Sequence, residues 1–385
     1  MNTLFNCQII IVCFLLLSGS LSYAETKYSP LVPEALPADT PENAAYLIEN
    51  NWIQLENGLA ESQAAPDSAS KIKVALFETI TYSDLNYDQD EDAVIILTYQ
   101  GGGSGTFYYL AAAFHKDGKY HGTNGIWLGD RISQPSIKIQ NGLITIEYLD
   151  RGINEPMTTA ASVLHSRYFM LKDLRLNEIK PAENERIYQG LLTIGHEVRS
   201  FLPCGEKDVL WLVGKSPAID IIITAYEKTM AGFPPYTPVF VILSGSKTVP
   251  PAEGFGADYR EALSASQLAR IWLEGNCRSD FILLDSPLPG ANISAPLAIK
   301  GRARGIWFFE GDFPVILLDA QGNKIAESYS TAKGDWMTKN FVGFEGTIDF
   351  KGSFSGQRGT LILKKDNPTG LAQFDDALEI PIHFE

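Results

Sequence analysis

The amino-acid sequence predicts a mainly β protein with minor α content, organised as three modules in a chain of 385 residues. Short runs of branched and aromatic residues recur along the chain, separated by turn-forming Gly, Pro, Asn and Asp. A polar, proline-marked junction at residues 180–185 interrupts these runs. The roughly 360 residues after position 24 allow two or three domains of about 100–150 residues.

Residues 1–24 have the layout of a secretory signal peptide. An apolar run at residues 9–17 follows a mostly polar start, and Ser22 and Ala24 stand three and one residues before a cleavage point at Glu25. The run is too short for roughly 30 Å of hydrocarbon, so we predict cleavage rather than a membrane anchor. No second long apolar run follows, so we expect no membrane span in the mature protein and a periplasmic or secreted location.

The formal net charge of −15 argues against partners that are themselves polyanions. Nucleic-acid binding and docking on anionic lipid both require clustered Lys and Arg, so neither is expected. An acidic surface instead suits a cationic partner or a metal ion, or serves solubility alone.

Two cysteines, Cys204 and Cys277, remain after removal of the signal peptide. An even count in an oxidising compartment predicts a disulfide bond, with two buried free thiols as the alternative. Closing this loop would stabilise the fold by about 4 kcal/mol in the chain-entropy model.

The first module follows a proline-rich leader at residues 25–41 and is predicted as an α+β domain at residues 42–176. Residues 42–51 form a short apolar face behind a capping Thr40, which favours a helix. Strands are predicted at residues 72–82, 93–99, 106–114 and 144–148.

The second module, residues 187–279, is predicted as a small OB-like β-barrel with a helix. Strands are expected at residues 191–194, 209–213, 219–226 and 238–243, and apolar spacing favours a helix at residues 258–273. Patches at residues 201–205 and 238–243 loosely resemble the barrel of envelope lipoproteins that sense copper or surface stress, which implies a fold only.

The third module, residues 281–385, is predicted as a β-sandwich, because about seven short strands alternate with turns and no long helix pattern occurs. Strands are expected at residues 281–284, 297–301, 305–310, 314–319, 341–350 and 359–364. Gly322 and Asn323 predict a tight hairpin between residues 317–319 and 325–327.

A series of short motifs in this module carries a resemblance: Ser286-Pro287-Leu288-Pro289-Gly290, Gly305-Ile306-Trp307-Phe308-Phe309-Glu310, Phe313-Pro314-Val315, Gly334-Asp335-Trp336-Met337-Thr338, residues 365–370 and Ile380-Pro381-Ile382. In this order they resemble the immunoglobulin-like domain of bacterial spore germination. The resemblance implies a β-sandwich of envelope and spore-associated proteins, usually attached to other modules. It implies no catalytic residues, and it does not imply sporulation.

The strongest ion-binding pattern is a calcium loop made by Asp84, Asn86, Asp88, Asp90 and Asp92. Oxygen side chains at alternate positions can converge on calcium at roughly 2.3–2.6 Å. Gln89 replaces the usual Gly at position six, and a predicted strand follows in place of a helix, which excludes a helix-loop-helix hand. The alternative interpretation is an acidic solvated turn.

Other motifs point away from catalysis. The Gly-rich residues 101–105 precede a strand and lack a Lys, unlike a phosphate loop. The five histidines show no metal-ligand spacing, and no nucleophile elbow occurs. A Cys204–His196 thiol pair is disfavoured because Cys277 is the more natural partner. We therefore predict no catalytic residue.

Aromatic residues in the third module suggest a binding face. Trp307, Phe308 and Phe309 are consecutive, so a strand would send some of them outward. Trp307, Phe308 and Trp336 are the predicted binding residues; the alternative is a core position or a module contact.

These features favour a non-catalytic secreted or periplasmic cell-envelope protein that binds an envelope protein or a cell-wall component. One alternative is an envelope-associated hydrolase or inhibitor with an unrecognised site in the first module. Another is a calcium-stabilised extracellular scaffold.

Overall fold

A computed structural model describes residues 36–64, 68–352 and 354–385. The predicted signal peptide and most of the leader lie outside these residues. The described part of the chain is mainly β, as predicted, with 25 strands and one α-helix.

The N-terminal region consists of three β layers. A central sheet contains strands β3 to β7, and β8 also pairs with β6. A hairpin of β1 and β2 covers one face of this sheet. A four-stranded sheet in the order β12-β11-β10-β9 covers the other face. The strands are β1 (Ala45–Ile48), β2 (Asn51–Gln54), β3 (Leu59–Gln63), β4 (Lys71–Ser83), β5 (Asp92–Gln100), β6 (Phe107–Lys116), β7 (Lys119–Gly122), β8 (Ile126–Asp130), β9 (Ser133–Gln140), β10 (Leu143–Asp150), β11 (Val163–Lys172) and β12 (Arg175–Ile179).

Strand β5 lies in the middle layer, which explains its continuous apolar sequence. Val94 and Ile96 pack with residues of β10 and β11, whereas Ile95 and Leu97 pack with residues of the β1–β2 hairpin. A strand buried on both faces needs apolar side chains at every position.

The helix predicted at residues 42–51 is wrong. Residues Pro41–Asn43 form one turn of 3-10 helix, and the β1–β2 hairpin follows. Its two-residue turn is Glu49 and Asn50, both with positive φ (48° and 62°), as a tight right-twisted hairpin requires. The buried side chains of Ala44, Tyr46 and Ile48 follow the two-residue period of a strand.

The middle region is a closed five-stranded barrel with strand order β13-β14-β15-β17-β16, which closes on β13. Its elements are β13 (Arg186–Ile194), β14 (Arg199–Pro203), β15 (Leu210–Gly214), α1 (Ala218–Thr229), β16 (Val239–Thr248) and β17 (Ala262–Trp272). The helix joins β15 to β16, and β15 pairs with β17 in parallel. This order matches the OB-like barrel expected from the sequence.

Two element types are exchanged relative to the sequence prediction. Residues 219–226, predicted as a strand, belong to helix α1, and residues 258–273, predicted as a helix, contain strand β17. The barrel does contain one helix, but it begins at Ala218, about forty residues before the predicted start at residue 258.

The C-terminal region is a β-sandwich whose strands follow the order β18-β20-β23-β22-β21-β24-β25-β19. Ile299 and Phe344 from the first half share one core with Leu317, Leu361 and Ile380 from the second half. The strands are β18 (Ile282–Ser286), β19 (Asn292–Ile293), β20 (Leu297–Arg304), β21 (Asp312–Leu318), β22 (Lys324–Ala332), β23 (Phe341–Ile348), β24 (Arg358–Lys364) and β25 (Ala377–Phe384).

The predicted hairpin at Gly322 and Asn323 is present between β21 and β22. Asp319 organises it, because its Oδ1 accepts hydrogen bonds from the backbone N–H groups of Gln321 (2.9 Å) and Asn323 (2.8 Å). Gly322 has φ 82°, a conformation that favours glycine.

The described residues, from 36 to 385, form one compact unit. The β9–β12 sheet packs on the outside of the barrel through an apolar cluster that includes Met170, Ile179, Phe240 and Ile242. The predicted Cys204–Cys277 disulfide is confirmed at the edge of this cluster, with a Cα–Cα distance of 5.5 Å. Within the described residues, no helix is both long and apolar enough to cross a bilayer.

Candidate functional site

A groove of about 1380 Å³ lies between the barrel and the sandwich. Its floor is the outer face of β13 and β14, where Leu191 pairs with Leu202 and Thr193 pairs with Ser200. Alternation along the strands sends these four side chains outward, while their neighbours, such as Phe201, fill the barrel interior. The floor therefore offers the partly exposed side chains of Leu202, Thr193 and Ser200, whereas Leu191 is buried against the β9–β12 sheet.

One wall of the groove is the segment 234–238, which carries three prolines and Tyr236 between α1 and β16. The buried Tyr226 hydroxyl donates a hydrogen bond to the Thr237 carbonyl oxygen (2.8 Å), which fixes this segment on the helix. Tyr236 is half exposed, and its ring lies so close to Gly195 that a β-carbon there would stand 2.0 Å from Cε1. The wall thus presents a rigid tyrosine beside prolines.

The opposite wall comes from the sandwich. It includes the proline-bearing segment 286–290 and residues of β24 and β25. Gly290 has φ 74°, donates a hydrogen bond to the Pro381 carbonyl oxygen (2.7 Å) and leaves no room for a β-carbon, which would lie 2.6 Å from Pro238 Cδ. Gly290 and Pro238 therefore bring the two walls close together.

Charged side chains in the groove are few. Glu197, Asp285 and Asp319 line it against the single cation Arg358. In the described part of the chain, no histidine ring is hydrogen-bonded to a serine hydroxyl. The geometry of the groove is that of an apolar binding surface with a few polar groups.

The predicted calcium loop connects β4 to β5, and its side chains mostly bind its own backbone. Asp84 accepts hydrogen bonds from the N–H groups of Tyr87 (2.6 Å) and Gln89 (3.0 Å). Asn86 Oδ1 accepts from Asp88, and Asp88 Oδ1 accepts from Asp90, both at 2.9 Å.

Position six of the loop adopts the backbone conformation that a glycine would favour, although it is Gln89, with φ 79°. Asp92 begins β5, is fully buried, and accepts hydrogen bonds from the N–H groups of Leu85 (2.8 Å) and His115 (2.9 Å). Burial raises the pKa of Asp92 to about 7 and also raises that of Asp84, and the nearby Asp88 charge acts in the same direction.

Within the described residues, no three His, Cys, Asp or Glu side chains are grouped as metal ligands. Asp84 and Asp92 each direct both carboxylate oxygens at backbone N–H groups, while Asp88 and Asp90 remain exposed. The loop offers the oxygen atoms that calcium prefers, and its occupancy stays a prediction.

The same loop joins the N-terminal region to the barrel, which the sequence reasoning missed. The Tyr87 ring packs against Trp272 with centroids 4.0 Å apart and planes inclined by 33°, and the Arg270 guanidinium lies 5.1 Å from the Tyr87 ring centre. Tyr87 also donates a hydrogen bond to Asp280 Oδ1 (3.4 Å), and Arg270 Nη2 donates to the Leu85 carbonyl oxygen (3.0 Å). The sequence gives one indication of this contact, which is the aromatic Tyr87 among the carboxylates of the loop.

The structure corrects the predicted aromatic binding face. Gly305–Trp307 is a 3-10 turn rather than a strand, and Trp307 and Phe308 are 0% and 4% exposed in the sandwich core. Trp336 is half buried and packs against the same core. Because their side chains face inward, Trp307 and Phe308 present no surface to a ligand; Ile306 and Phe309 are the exposed members of this run.

Comparison with known proteins assigns only the last module. Neither the curated proteins nor the solved structures contain a match to this chain. A family model, described as the immunoglobulin-like domain of bacterial spore germination, matches residues 281–371. The C-terminal β-sandwich is therefore an immunoglobulin-like module of that family.

Proposed function

We propose that this protein is a non-catalytic binding protein of the bacterial cell envelope and that it holds its partner in the groove between the barrel and the sandwich. The observation that carries the proposal is the groove itself: about 1380 Å³ of open space above β13 and β14. Barrels of OB topology commonly bind ligands on the outer face of their second and third strands; the groove floor here is the first and second strands, so the two regions share β14. The immunoglobulin-like module, a binding-type domain, supplies the opposing wall.

Export from the cytoplasm is part of the proposal. The Cys204–Cys277 disulfide supports it, because such bonds persist mainly in oxidising compartments. The signal-peptide pattern at residues 1–24 points the same way. Both features support a periplasmic or secreted location.

The occupant we propose is an extended, basic segment of an envelope protein. Tyr236 on one wall, in a groove that prolines line on both sides, offers the aromatic and apolar surface on which extended, proline-containing segments dock. Three acidic residues against one arginine favour a segment that carries Lys or Arg. A cell-wall component is the other partner that the test must distinguish.

The proposal is tested by a substitution that blocks the groove at its floor. Ser200→Trp places a large ring among the lining residues, and Ser136→Trp, on an exposed position of β9, is the matched control. The probes are a library of extended peptides containing Pro and Lys, the same library with Glu in place of Lys, and purified cell-wall sacculi. Binding is followed by fluorescence anisotropy for peptides and by co-sedimentation for sacculi.

We expect Lys-containing peptides to bind the wild type and the Ser136→Trp variant, with at least about tenfold weaker binding to Ser200→Trp. Equal binding to both variants would show that the groove is not the site. If the wild type binds no peptide but sediments with sacculi, and Ser200→Trp abolishes that sedimentation, the partner is a cell-wall component and not a protein.

A further inference from the structure

A second cavity, of about 670 Å³, lies where the N-terminal region, the barrel and the sandwich meet. Strands β4 and β9 form one side, the residues that follow the barrel (277–281) form the second, and residues 304–306 and 338–339 of the sandwich form the third. We refer to it as the junction cleft. Small-molecule sites occur preferentially at such domain boundaries, and this volume is within their usual range of about 300–1,000 Å³.

Four cations line the junction cleft: Lys138, Arg278, Arg304 and Lys339. Arg278 uses Nε on Asp376 Oδ1 (2.5 Å) and Nη1 on the Cys277 carbonyl oxygen (3.0 Å). Arg304 uses Nε and Nη1 on the carbonyl oxygens of Asp280 (2.7 Å) and Lys339 (2.9 Å), its Nη1 also lies 3.9 Å from Glu91 Oε1, and its guanidinium lies over the Phe341 ring.

Several donors of these cations stay open. In the described residues, Nη2 of Arg278 and Nη2 of Arg304 have no hydrogen-bond partner, because only their Nε and Nη1 atoms are engaged. Lys138 and Lys339 form no ion pair within the same part of the chain, unlike Lys300 and Lys333 of the sandwich, which both pair with Glu345. Two anchored guanidinium groups and two unpaired ammonium groups therefore surround one cavity.

The cleft holds a surplus of positive charge. Its acids are Glu91, Asp280 and Asp376, three against four cations, in a chain whose net charge is −15. Asp280 accepts hydrogen bonds from the Asn141 N–H (2.7 Å) and the Tyr87 hydroxyl (3.4 Å), so its carboxylate is committed to the module junction. One uncompensated positive charge suits a ligand with a single negative charge, whereas a phosphate dianion would leave the cleft negative.

Apolar surface accompanies these charges. Tyr82 and Phe281 line the cleft and are 44% and 40% exposed. Aromatic rings at the edge of a small cavity offer a face on which a flat apolar group can pack.

We infer that the junction cleft binds a small monocarboxylate whose body is a ring or another apolar group. The carboxylate lies between the open Nη2 atoms and the two lysines, and the apolar body packs on Tyr82 and Phe281. The site is separate from the groove and does not depend on the function proposed for it.

The test titrates benzoate into the full-length mature protein by isothermal calorimetry, with benzamide as the neutral analogue and inorganic phosphate as the competing anion. Lys138→Gln/Lys339→Gln removes the two unpaired charges without breaking an ion pair. Lys116→Gln/Lys215→Gln is the matched control, since both of these lysines are exposed and lie outside the cleft.

We expect benzoate to bind at least about tenfold more tightly than benzamide, and the Lys138→Gln/Lys339→Gln variant to lose at least about tenfold in benzoate affinity. The control variant and Ser200→Trp keep wild-type affinity. Binding weakens from about 0.01 M to about 1 M salt, because the attraction is electrostatic. Equal affinity for benzoate and benzamide, unchanged affinity in the cleft variant, tighter binding of phosphate, or no benzoate binding would each overturn the inference.

Discussion

Gly305 begins the 3-10 turn that carries Trp307 into the sandwich core. A β-carbon at this position would lie 2.1 Å from the carbonyl oxygens of both Trp336 and Thr338. Backbone atoms on both sides cannot move apart without displacing the segment that contains Trp336. Gly305→Ala should therefore lower the free energy of unfolding by about 2–4 kcal/mol, measured by urea denaturation.

Gly334 supplies the control for this prediction, because no atom lies within 4 Å of a β-carbon built there. Gly334→Ala should be neutral or stabilising by up to about 1 kcal/mol, since it only restricts the unfolded chain. Equal effects of the two substitutions would mean that close backbone packing at Gly305 does not hold the turn.

Individual residues differed in how much of their role the sequence could reveal. Cys204 and Cys277 were predictable as a pair because a count of two leaves one pairing. A run of apolar residues predicts a strand at Trp307 and Phe308, but a 3-10 turn that ends at Trp307 allows both side chains to enter the core. The contacts of Tyr87 depend on Arg270, Trp272 and Asp280, which lie about 190 positions away, as the separation of 193 between Tyr87 and Asp280 shows.

Strand β17 shows how the sequence of a strand can have the apolar spacing expected of a helix. Its pairing with β16 skips Ser266 and Ala269, which lie at two bulges. Each bulge shifts the inward positions by one residue, so the apolar side chains of Leu263, Leu268 and Ile271 acquire a spacing near that of a helix. Bulges depend on the partner strand, and a single sequence does not display them.

Helix α1 shows the opposite error. Its run of isoleucines has the composition of a strand, but the buried residues are Ile219, Ile222 and Tyr226, at spacings of three and four, while Ile221 is 56% exposed. Periodicity was the better guide here than β-propensity, which reflects packing context more than backbone preference.

The loop between β4 and β5 carries the calcium prediction. Burial raises the pKa of Asp84 and of Asp92, and the nearby Asp88 charge adds to this effect, so a bound cation should stabilise their charged forms. Calcium should raise the melting temperature above that in chelator, by several degrees at saturating concentration. Scanning calorimetry measures the difference, and coincident curves would exclude calcium as a ligand.

A pair of variants assigns that effect to the loop. Asp88→Asn removes an exposed carboxylate at the centre of the pattern and should reduce the calcium shift. Asp117→Asn removes a carboxylate from the β6–β7 turn, where φ is 53°, a conformation that asparagine tolerates. The calcium shift of Asp117→Asn should equal that of the wild type; a loss in both variants would point to a general effect of charge.

The sequence predicts the modules but not the contacts between them. The apolar cluster that joins the β9–β12 sheet to the barrel draws on Met170, Ile179, Phe240 and Ile242, none of which shows a local pattern that marks an interface. The groove and the junction cleft arise from these contacts, so neither was accessible from the sequence. The predicted boundaries of independently folding domains stay a prediction, which unfolding experiments can address.

Tyr87 offers the most direct test of how the modules are coupled. Tyr87→Ala removes the packing against Trp272 and the contact with Arg270, and should lower the free energy of unfolding by about 2–4 kcal/mol. Tyr87→Phe keeps the ring contacts and loses only the hydrogen bond to Asp280, so about 1 kcal/mol or less is expected. Urea unfolding is followed by tryptophan emission and by circular dichroism.

The wild type should give coincident curves for the two signals, because the apolar cluster and the Tyr87 contacts both join the N-terminal sheets to the barrel. Tyr87→Ala should separate them, because the N-terminal sheets then unfold with less support from the barrel. Tyr329→Ala, at a tyrosine that is 54% exposed on the sandwich, controls for the loss of any surface aromatic. If Tyr87→Ala cost no more than Tyr329→Ala and left the curves coincident, the apolar cluster alone would hold the N-terminal region on the barrel, and the acidic loop would have no part in the assembly.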